Sequence, residues 1–231
     1  MLQRTKPIIF TADSVNAILD DHKTETRRLI KPQFTGYAHK SVFHKSGYCT
    51  PHGDEIKLRY GLGDVLWVRE TWADPNDVEI PVYKADNATA YQSVTWKSPI
   101  YMPKKFARIK LCVVGIGVRR IQDMTDRDAI AEGIVLKGIT NYEGKARKQF
   151  SKVWDSLHAK PKPVYETYLD CGDAALDDYR YTRKVSHYVS YPWKSCEGAD
   201  YVEYRCSIYR GKPWHIYPNP LVQVIRFEVV K

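Results

Sequence analysis

Three segments of alternating apolar residues most constrain the fold of this chain. DVLWVRETW begins at Asp64, RIKLCVVGIGVRRI begins at Arg108, and LVQVIRFEVV begins at Leu221. Successive side chains of a β-strand point to opposite faces, so each segment predicts a strand with a buried face. Gly115 and Gly117 interrupt the longest segment and predict a bend or a bulge there.

Three short amphipathic segments predict helices between and beside these strands. Thr11 is placed to cap a helix over residues 12–21. Thr125 and the residues after it have the spacing of a capping box, which predicts a second helix ending at Glu132. A third amphipathic helix is predicted over residues 146–158.

Five or six mostly sequential strands with three short helices predict an α+β fold. We expect a small mixed or antiparallel β-barrel with helices at its ends. A chain of 231 residues can form one elaborated domain, so a single domain over residues 1–231 is predicted. Residues 33–61 are predicted to be a long loop, and residues 160–218 an irregular insertion.

Composition points to polyanionic or nucleoside partners in a reducing compartment. The net charge of +9 attracts nucleic acid, but it leaves a small anionic or nucleoside substrate equally open. The 17 tyrosines suit contacts with bases, and tyrosine is also common in β-rich proteins. Five cysteines without a CxxC motif, and no apolar run of about 18 residues, predict a cytoplasmic protein with free thiols and no membrane partner. Nothing in the sequence sets the oligomeric state.

Metal and nucleotide-cofactor motifs are weak, and we predict neither a metal nor a cofactor. Gly115-x-Gly117 lacks the third glycine of a dinucleotide fingerprint, and YGLGD at 60–64 lacks the Lys-Ser/Thr of a P-loop. Four potential zinc ligands occur close together but without a regular paired pattern, which favours scattered surface residues: His39, His44, Cys49 and His52.

The polar stretch DDHKTETRR, residues 20–28, admits two interpretations. As a strand it places Thr24, Thr26 and Arg28 on one face. With Lys23 this face offers a hydroxyl nucleophile, a base and a donor for an oxyanion. As a solvated helix end, the same cations favour the helix dipole. Residue types alone favour the solvated end.

Several separated stretches together resemble the ASCH family, whose members have a PUA-like β-barrel. The set is similar to the long, phage-associated ASCH proteins and covers most of residues 7–158 and 219–229. The resemblance does not extend to residues 33–61 and 160–218. The stretches are ILDDHKTETRR with LIKPQ, GDVLWVRETW, WKSPIYMPKKFARIKLCV, IQDMTDRDAIAEGI, VWDSL and NPLVQVIRFE.

One branch of that family, the bacterial N4-acetylcytidine amidohydrolases, is similar in the pattern I-L-x-x-x-K-T-x-T-x-R, found here at residues 18–28. The branch uses the lysine, the second threonine and a glutamate seven residues after a helix-starting threonine. The resemblance therefore implies Lys23, Thr26 and Glu132 as catalytic residues. Arg28 and Thr24 are implied as substrate-binding neighbours.

The resemblance implies cleavage of an acyl group from an exocyclic amine, by one of two assignments. In the first, Thr26 attacks the acyl carbon, Lys23 takes the hydroxyl proton, and Glu132 passes it to the leaving amine. Arg28 would stabilise the anion or hold the carboxylates. In the second, Glu132 activates water and Lys23 donates to the oxyanion. The chain departs from the branch at Asp21-His22, where the small hydrolases carry Gly-Arg.

Two further functions are compatible with these residues: an RNA- or nucleic-acid-binding module without chemistry, and a metal-independent ribonuclease. Trp67, Tyr83 and Trp96 are candidates for stacking on a base, although a core position is favoured for Trp67. Within the polar stretch, three charged residues are predicted to lie at the surface: Asp20, Asp21 and Arg27.

Overall fold

The computed structural model describes residues 4–34, 36–73, 81–86, 94–136, 143–171, 179–193, 204–217 and 219–230. The three α-helices are α1 Ala12–Leu19, α2 Asp126–Ala131 and α3 Lys145–His158. The strands are β1 Thr5–Ile9, β2 Glu25–Leu29, β3 His39–Lys40, β4 Tyr48–Cys49, β5 Val65–Arg69, β6 Trp72–Ala73, β7 Val82–Tyr83, β8 Lys110–Arg120, β9 Lys162–Cys171, β10 Tyr179–Ser190, β11 Tyr204–Tyr209, β12 Lys212–Ile216 and β13 Leu221–Val229.

The main sheet has five strands in the order β1-β5-β8-β13-β2. β1 pairs with β5 in parallel, and the other neighbours are antiparallel. A mixed α+β fold with few helices is therefore confirmed. Closure of the sheet into a PUA-like barrel stays a prediction, as does the single domain.

The main sheet carries a hydrophobic cluster on each face. On one face Val15 and Ile18 of α1 join apolar residues of the strands, among them Leu66 and Ile225. The second cluster joins Val222 and Val224 of β13 to the two other helices through Ala129, Phe150 and Trp154. Side chains on both faces of β13 and β2 are thus covered, which fixes the register of these strands.

Gly115 lies beside an irregularity of the β8–β13 ladder. The register shifts between Arg226, which pairs with Gly115, and Phe227, which pairs with Val113. The predicted bulge is confirmed. The bulge lets β13 stay paired with β8 beyond the point at which the local twist of the strands changes.

The prediction that residues 160–218 are irregular is wrong. Backbone ladders join four strands there in the order β11-β12-β10-β9. β9 and β10 pair along nearly their whole length, between Lys162↔Val189 and Cys171↔Tyr179. Tyrosine, charged and small polar residues are mixed with apolar ones in these strands, so the segment lacks the regular apolar period on which strand recognition depends. Its tyrosines and valines nevertheless suit a pleated sheet.

Residues 33–61 contain a short hairpin, β3–β4, within an otherwise loop-like segment. Tyr48 of the hairpin donates from its hydroxyl to the carbonyl of Ile116 at 3.3 Å, which ties the hairpin to β8. Within the described ranges, no helix combines the length and apolarity needed to cross a bilayer. Cys49 and Cys112 are free thiols, while the side chains of the other three cysteines lie outside the described part of the chain.

Candidate functional site

A left-handed turn after α1 places Lys23. Asp21 has a φ of 57°, and the amides of His22 and Lys23 both donate to the carbonyl of Ala17 at 2.8 Å. Glycine adopts this φ without strain, and Asp is among the few other residues that tolerate it. Asp21 is therefore compatible with this turn.

β2 then carries the polar stretch into the main sheet. Thr26 pairs with Ile225 and Arg27 with Val224, so adjacent residues face opposite sides as the alternation predicts. Thr26 is 1% exposed. The interpretation of residues 20–28 as a solvated helix end is wrong for β2, because both faces of this strand are covered.

Helix α2 supplies Glu132 at its carboxyl end. Thr125 and Asp128 form a reciprocal capping box at the start of the helix, as predicted, and Glu132 is its C-cap. Gly133 follows with a φ of 93°. A Cβ at Gly133 would lie 2.9 Å from Cβ of Ala17, so the absence of a side chain lets α2 approach the turn that carries Lys23.

Lys23 and Glu132 form a buried ion pair. The Lys23 ammonium lies 2.5 Å from Oε2 of Glu132 and donates to the Glu132 carbonyl at 2.7 Å. The side chains are 3% and 5% exposed. Burial lowers the pKa of Lys23 from its ordinary value, although the Glu132 carboxylate acts in the opposite direction.

Arg28 holds Thr26 and reaches the other edge of the sheet. It donates from Nη1 to Thr26 Oγ1 and from Nη2 to the Ile9 carbonyl of β1, both at 2.9 Å. Its guanidinium lies 5.1 Å from the centroid of the Phe10 ring, and the Lys23 ammonium lies 5.7 Å from the same centroid. The Lys23–Glu132 and Arg28–Thr26 pairs therefore meet at one aromatic ring. Burial lowers the pKa of Arg28.

The prediction that Arg27 is a surface residue is wrong. Arg27 is buried and lies 3.3 Å from Oε1 of Glu132, 3.4 Å from Oε2 of Glu25 and 3.5 Å from Oδ1 of Asp128. Sequence reasoning missed this role because a charged strand residue is usually exposed, and α2 covers this face only in the folded chain. Asp20 and Asp21 are exposed as predicted.

The hydrogen bonds divide the predicted catalytic residues into two units. Glu132 is in direct contact with Lys23 and can exchange a proton with it. Thr26 receives its hydrogen bond from Arg28, and no hydrogen bond joins Thr26 to Lys23 within the described residues. The arrangement offers a proton-transfer pair beside a hydroxyl that is polarised by a cation.

The aromatic candidates Trp67 and Tyr83 contact residues outside this arrangement. Trp67 is 8% exposed, which confirms the core interpretation, and Arg69 stacks on its ring at 4.6 Å. Tyr83 donates to the Phe106 carbonyl at 2.6 Å. Trp96 is partly buried, and Thr24 is exposed beside Lys23. Substrate contacts by Thr24, Trp67 and Arg28 stay predictions.

No group of three or more His, Cys, Asp or Glu is arranged to hold a metal ion among the described residues. His44, one of the four potential ligands, instead contacts the Gly53 carbonyl at 2.9 Å through Nε2. A metal-free and cofactor-free site remains a prediction.

Comparison of the chain with protein-family models, with curated proteins and with solved structures found no match. The ASCH resemblance and the functions that it implies therefore remain predictions.

Proposed function

We propose that the protein is an amidohydrolase that removes an acyl group from the exocyclic amine of N4-acylated cytidine or a related modified nucleoside. The buried Lys23–Glu132 pair carries this proposal. Two opposite charges taken out of water rarely increase stability over an apolar pair, so a functional reason for keeping them is expected.

Amide cleavage needs a proton for the leaving amine, and the ion pair is suited to supply it. A lysine whose pKa is lowered by burial releases its proton more readily than a solvated lysine. Glu132 lies within hydrogen-bond distance to receive that proton and to pass it on. The C–N bond then breaks with the electron pair leaving on nitrogen, which takes up the proton.

Thr26 is the proposed nucleophile. Its hydroxyl oxygen would bond to the acyl carbon while its proton passes to Lys23, which is neutral once it has given its own proton to Glu132. The ester that forms is hydrolysed by water in a second step, which restores the hydroxyl. Arg28 donates to that hydroxyl and is placed to stabilise negative charge as it develops beside it. The second assignment, in which Glu132 activates water directly, uses the same residues but forms no ester.

Access to these groups requires movement. Lys23 and Thr26 are 4% and 1% exposed. A substrate carbonyl reaches Thr26 only if neighbouring side chains move outward. A closed site of this kind also excludes bulk water, which strengthens the electrostatic interactions inside it.

The direct test incubates the purified protein with N4-acetylcytidine and measures cytidine and acetate by chromatography. Lys23→Ala, Thr26→Val and Glu132→Gln are each expected to reduce kcat/KM by about 100-fold or more, since each removes a proton-transfer or nucleophilic group. Lys152→Ala, at an exposed lysine of α3, is the matched control and should keep wild-type turnover.

The same preparation separates the two assignments. Thr26→Ser should retain part of the activity and accumulate an acylated protein visible by mass spectrometry if the hydroxyl is the nucleophile. Activity that survives Thr26→Val would assign the attack to water. Folded wild-type protein that yields no cytidine above the Lys23→Ala background would refute the amidohydrolase proposal.

A second candidate function, nucleic-acid binding, is supported by a basic groove of about 1360 Å³. Acidic residues at the groove include Asp64, which is neutralised by Lys6 at 2.7 Å. The cations of the groove are Arg4, Lys6, Lys45 and Lys57.

Salt dependence distinguishes binding alone from hydrolysis. A nucleic-acid-binding module should lose affinity steeply between low and physiological salt, and Lys23→Ala should leave its binding unchanged. RNA that is shortened by the protein in the presence of EDTA would instead support the ribonuclease alternative.

A further inference from the structure

A second cavity lies on the face of the main sheet opposite Thr26. Its volume is about 340 Å³. That volume corresponds to about eleven waters at the share that each takes in the liquid. Its lining includes Glu25 and Arg27 of β2, while Tyr48 and Lys40 of the β3–β4 hairpin contribute to its wall.

Two glycines form part of the cavity floor. Residues that pair across adjacent strands share a face, so two rows cross β8, β13 and β2 here: Gly115, Arg226 and Glu25 in one row, and Gly117, Val224 and Arg27 in the other. Each row begins with a position that has no side chain. The cavity is therefore deeper above β8, where the two glycines lie, than above β2, where side chains cover the backbone.

Some of the charged side chains that line the cavity form ion pairs, and others do not. Glu25 is paired with Arg226 at 2.8 Å, and Arg27 contacts both Glu25 and Asp128. The two carboxylates of the lining are thus already engaged. By contrast, two exposed cations at the cavity make no hydrogen bond or ion pair within the described ranges: Lys40 and Arg119.

We propose that this cavity binds a small phosphate monoester. Two exposed cations that form no ion pair among the described residues match the charge of about −2 that such a group carries, whereas a monocarboxylate would leave one of them unpaired. Arg119 also acts on the Asp128 carboxylate through space. Lys40 and Arg119 hold the phosphate at the rim. The organic part of the ligand occupies the recess over Gly117, between Val224 and the Tyr48 ring.

This cavity lies on the opposite face of β2 from the proposed nucleophile, and its lining residue Arg27 also contacts Glu132 at 3.3 Å. Side chains of neighbouring residues on β2 point to opposite faces, so the cavity residues Glu25 and Arg27 lie on the other side of the sheet from Thr26. Binding can therefore be measured without any turnover assay, and its failure would leave the amidohydrolase proposal untouched.

Isothermal titration calorimetry with the full chain at low salt tests the proposal. Ribose 5-phosphate is the probe, with ribose, inorganic phosphate and succinate as comparison ligands. A dissociation constant of about 1 mM or tighter is expected for the monoester. Arg119→Gln and Lys40→Gln should each weaken it by about tenfold, because each removes one charge-assisted contact. Arg127→Gln, an exposed arginine of α2 outside the lining, is the matched control.

A variant that fills the recess gives an independent readout. A Cβ at Gly117 would lie 3.6 Å from Cβ of Val224, an ordinary contact distance, so Gly117→Ala is compatible with the strand and should weaken binding by narrowing the recess. Thermal unfolding checks that this variant folds, and the two charge variants decide the question if it does not. The proposal is overturned if the monoester produces no heat of binding, if succinate binds more tightly, or if Arg119→Gln binds as the wild type does.

Discussion

At the residue scale, the ion pair of Lys23 and Glu132 determines the electrostatics of the site. Burial acts to remove the charge of Lys23, and the carboxylate acts to keep it. Arg27 places a second cation against the same carboxylate at 3.3 Å. Since Glu132 is shared by two cations, its removal would leave both without an important partner.

Glu132→Gln is therefore expected to lower the pKa of Lys23 further, because only desolvation and the neighbouring arginines then act on it. NMR titration of lysines labelled with ¹³C at Cε measures this pKa directly. A pKa of Lys23 that stays constant or rises would contradict the assignment of Glu132 as its main partner.

The same variant, Glu132→Gln, should also change how the stability of the protein depends on pH. The pKa of Lys23 is lower in the folded chain than its ordinary value of 10.5, so folding releases a proton between the two values. The contribution of Lys23 to the free energy of unfolding is therefore lowest at a pH below its folded pKa, and it rises with pH until about 10.5. At a pH below the folded pKa of Lys23, Glu132→Gln should lower the free energy of unfolding by about 3 kcal/mol. The loss should become smaller as the pH rises.

At the element scale, α2 and the turn after α1 must approach closely to bring the pair together. The amide of Thr24 donates to the Ala131 carbonyl at 2.9 Å, and the backbones of Lys23 and Glu132 form an isolated antiparallel β-bridge. Gly133 makes this approach possible, since it combines a positive φ with the absence of a side chain. Position 133 thus controls the distance between two segments that are far apart in sequence.

Gly133→Ala is expected to destabilise the protein by more than Gly53→Ala does. Both glycines have positive φ, at 93° and 90°, so both variants lose about 1–2 kcal/mol from backbone strain. Only at Gly133 would the new Cβ meet another atom, Cβ of Ala17, at 2.9 Å; no atom lies within 4 Å at Gly53. Urea unfolding measures both losses, and equal losses would show that the approach of α2 does not depend on Gly133.

At the scale of the whole molecule, α3 joins the main sheet to the segment that follows β10. Trp154 donates from its indole nitrogen to the Tyr191 carbonyl at 2.9 Å, and the Tyr191 amide donates to the His158 carbonyl at 2.9 Å. The His158 ring lies 4.1 Å from the Trp154 ring. Burial, with Lys162 as the leading charged neighbour, lowers the pKa of His158 to about 4.

This histidine predicts a loss of stability in acid. Its folded pKa of about 4 lies below its ordinary value of 6.5, so the unfolded chain binds more protons between those values and stability falls as the pH is lowered through them. We expect about 1–2 kcal/mol from this group after allowance for partial exposure of the ring. His158→Phe, which keeps the aromatic contact, should remove that part of the decline in urea unfolding.

His22→Gln, at an exposed ring, is the control and should decline with pH as the wild type does. Carboxylates also titrate in this range, so the informative quantity is the difference between the wild type and His158→Phe. Parallel declines of the two proteins would mean that His158 is already protonated when folded.

Several parts of the fold were predictable because their causes are local. Thr11 and Thr125 cap their helices as expected, and α3 begins one residue before its predicted start. Strands β5, β8 and β13 of the main sheet follow the alternation of their apolar residues. The strands within residues 160–218 were not predicted because they lack that alternation.

For the candidate site, the sequence by itself determined which side chains share a face of β2, since alternation along a strand is a property of the strand alone. Only the tertiary structure decided their partners. Lys23 and Glu132 are 109 residues apart, and Arg27 became buried because α2 covers its face. The cavity over Gly115 and Gly117 likewise depends on three strands and a hairpin packing together. Contacts of this kind depend on packing between distant segments, and no local pattern records them.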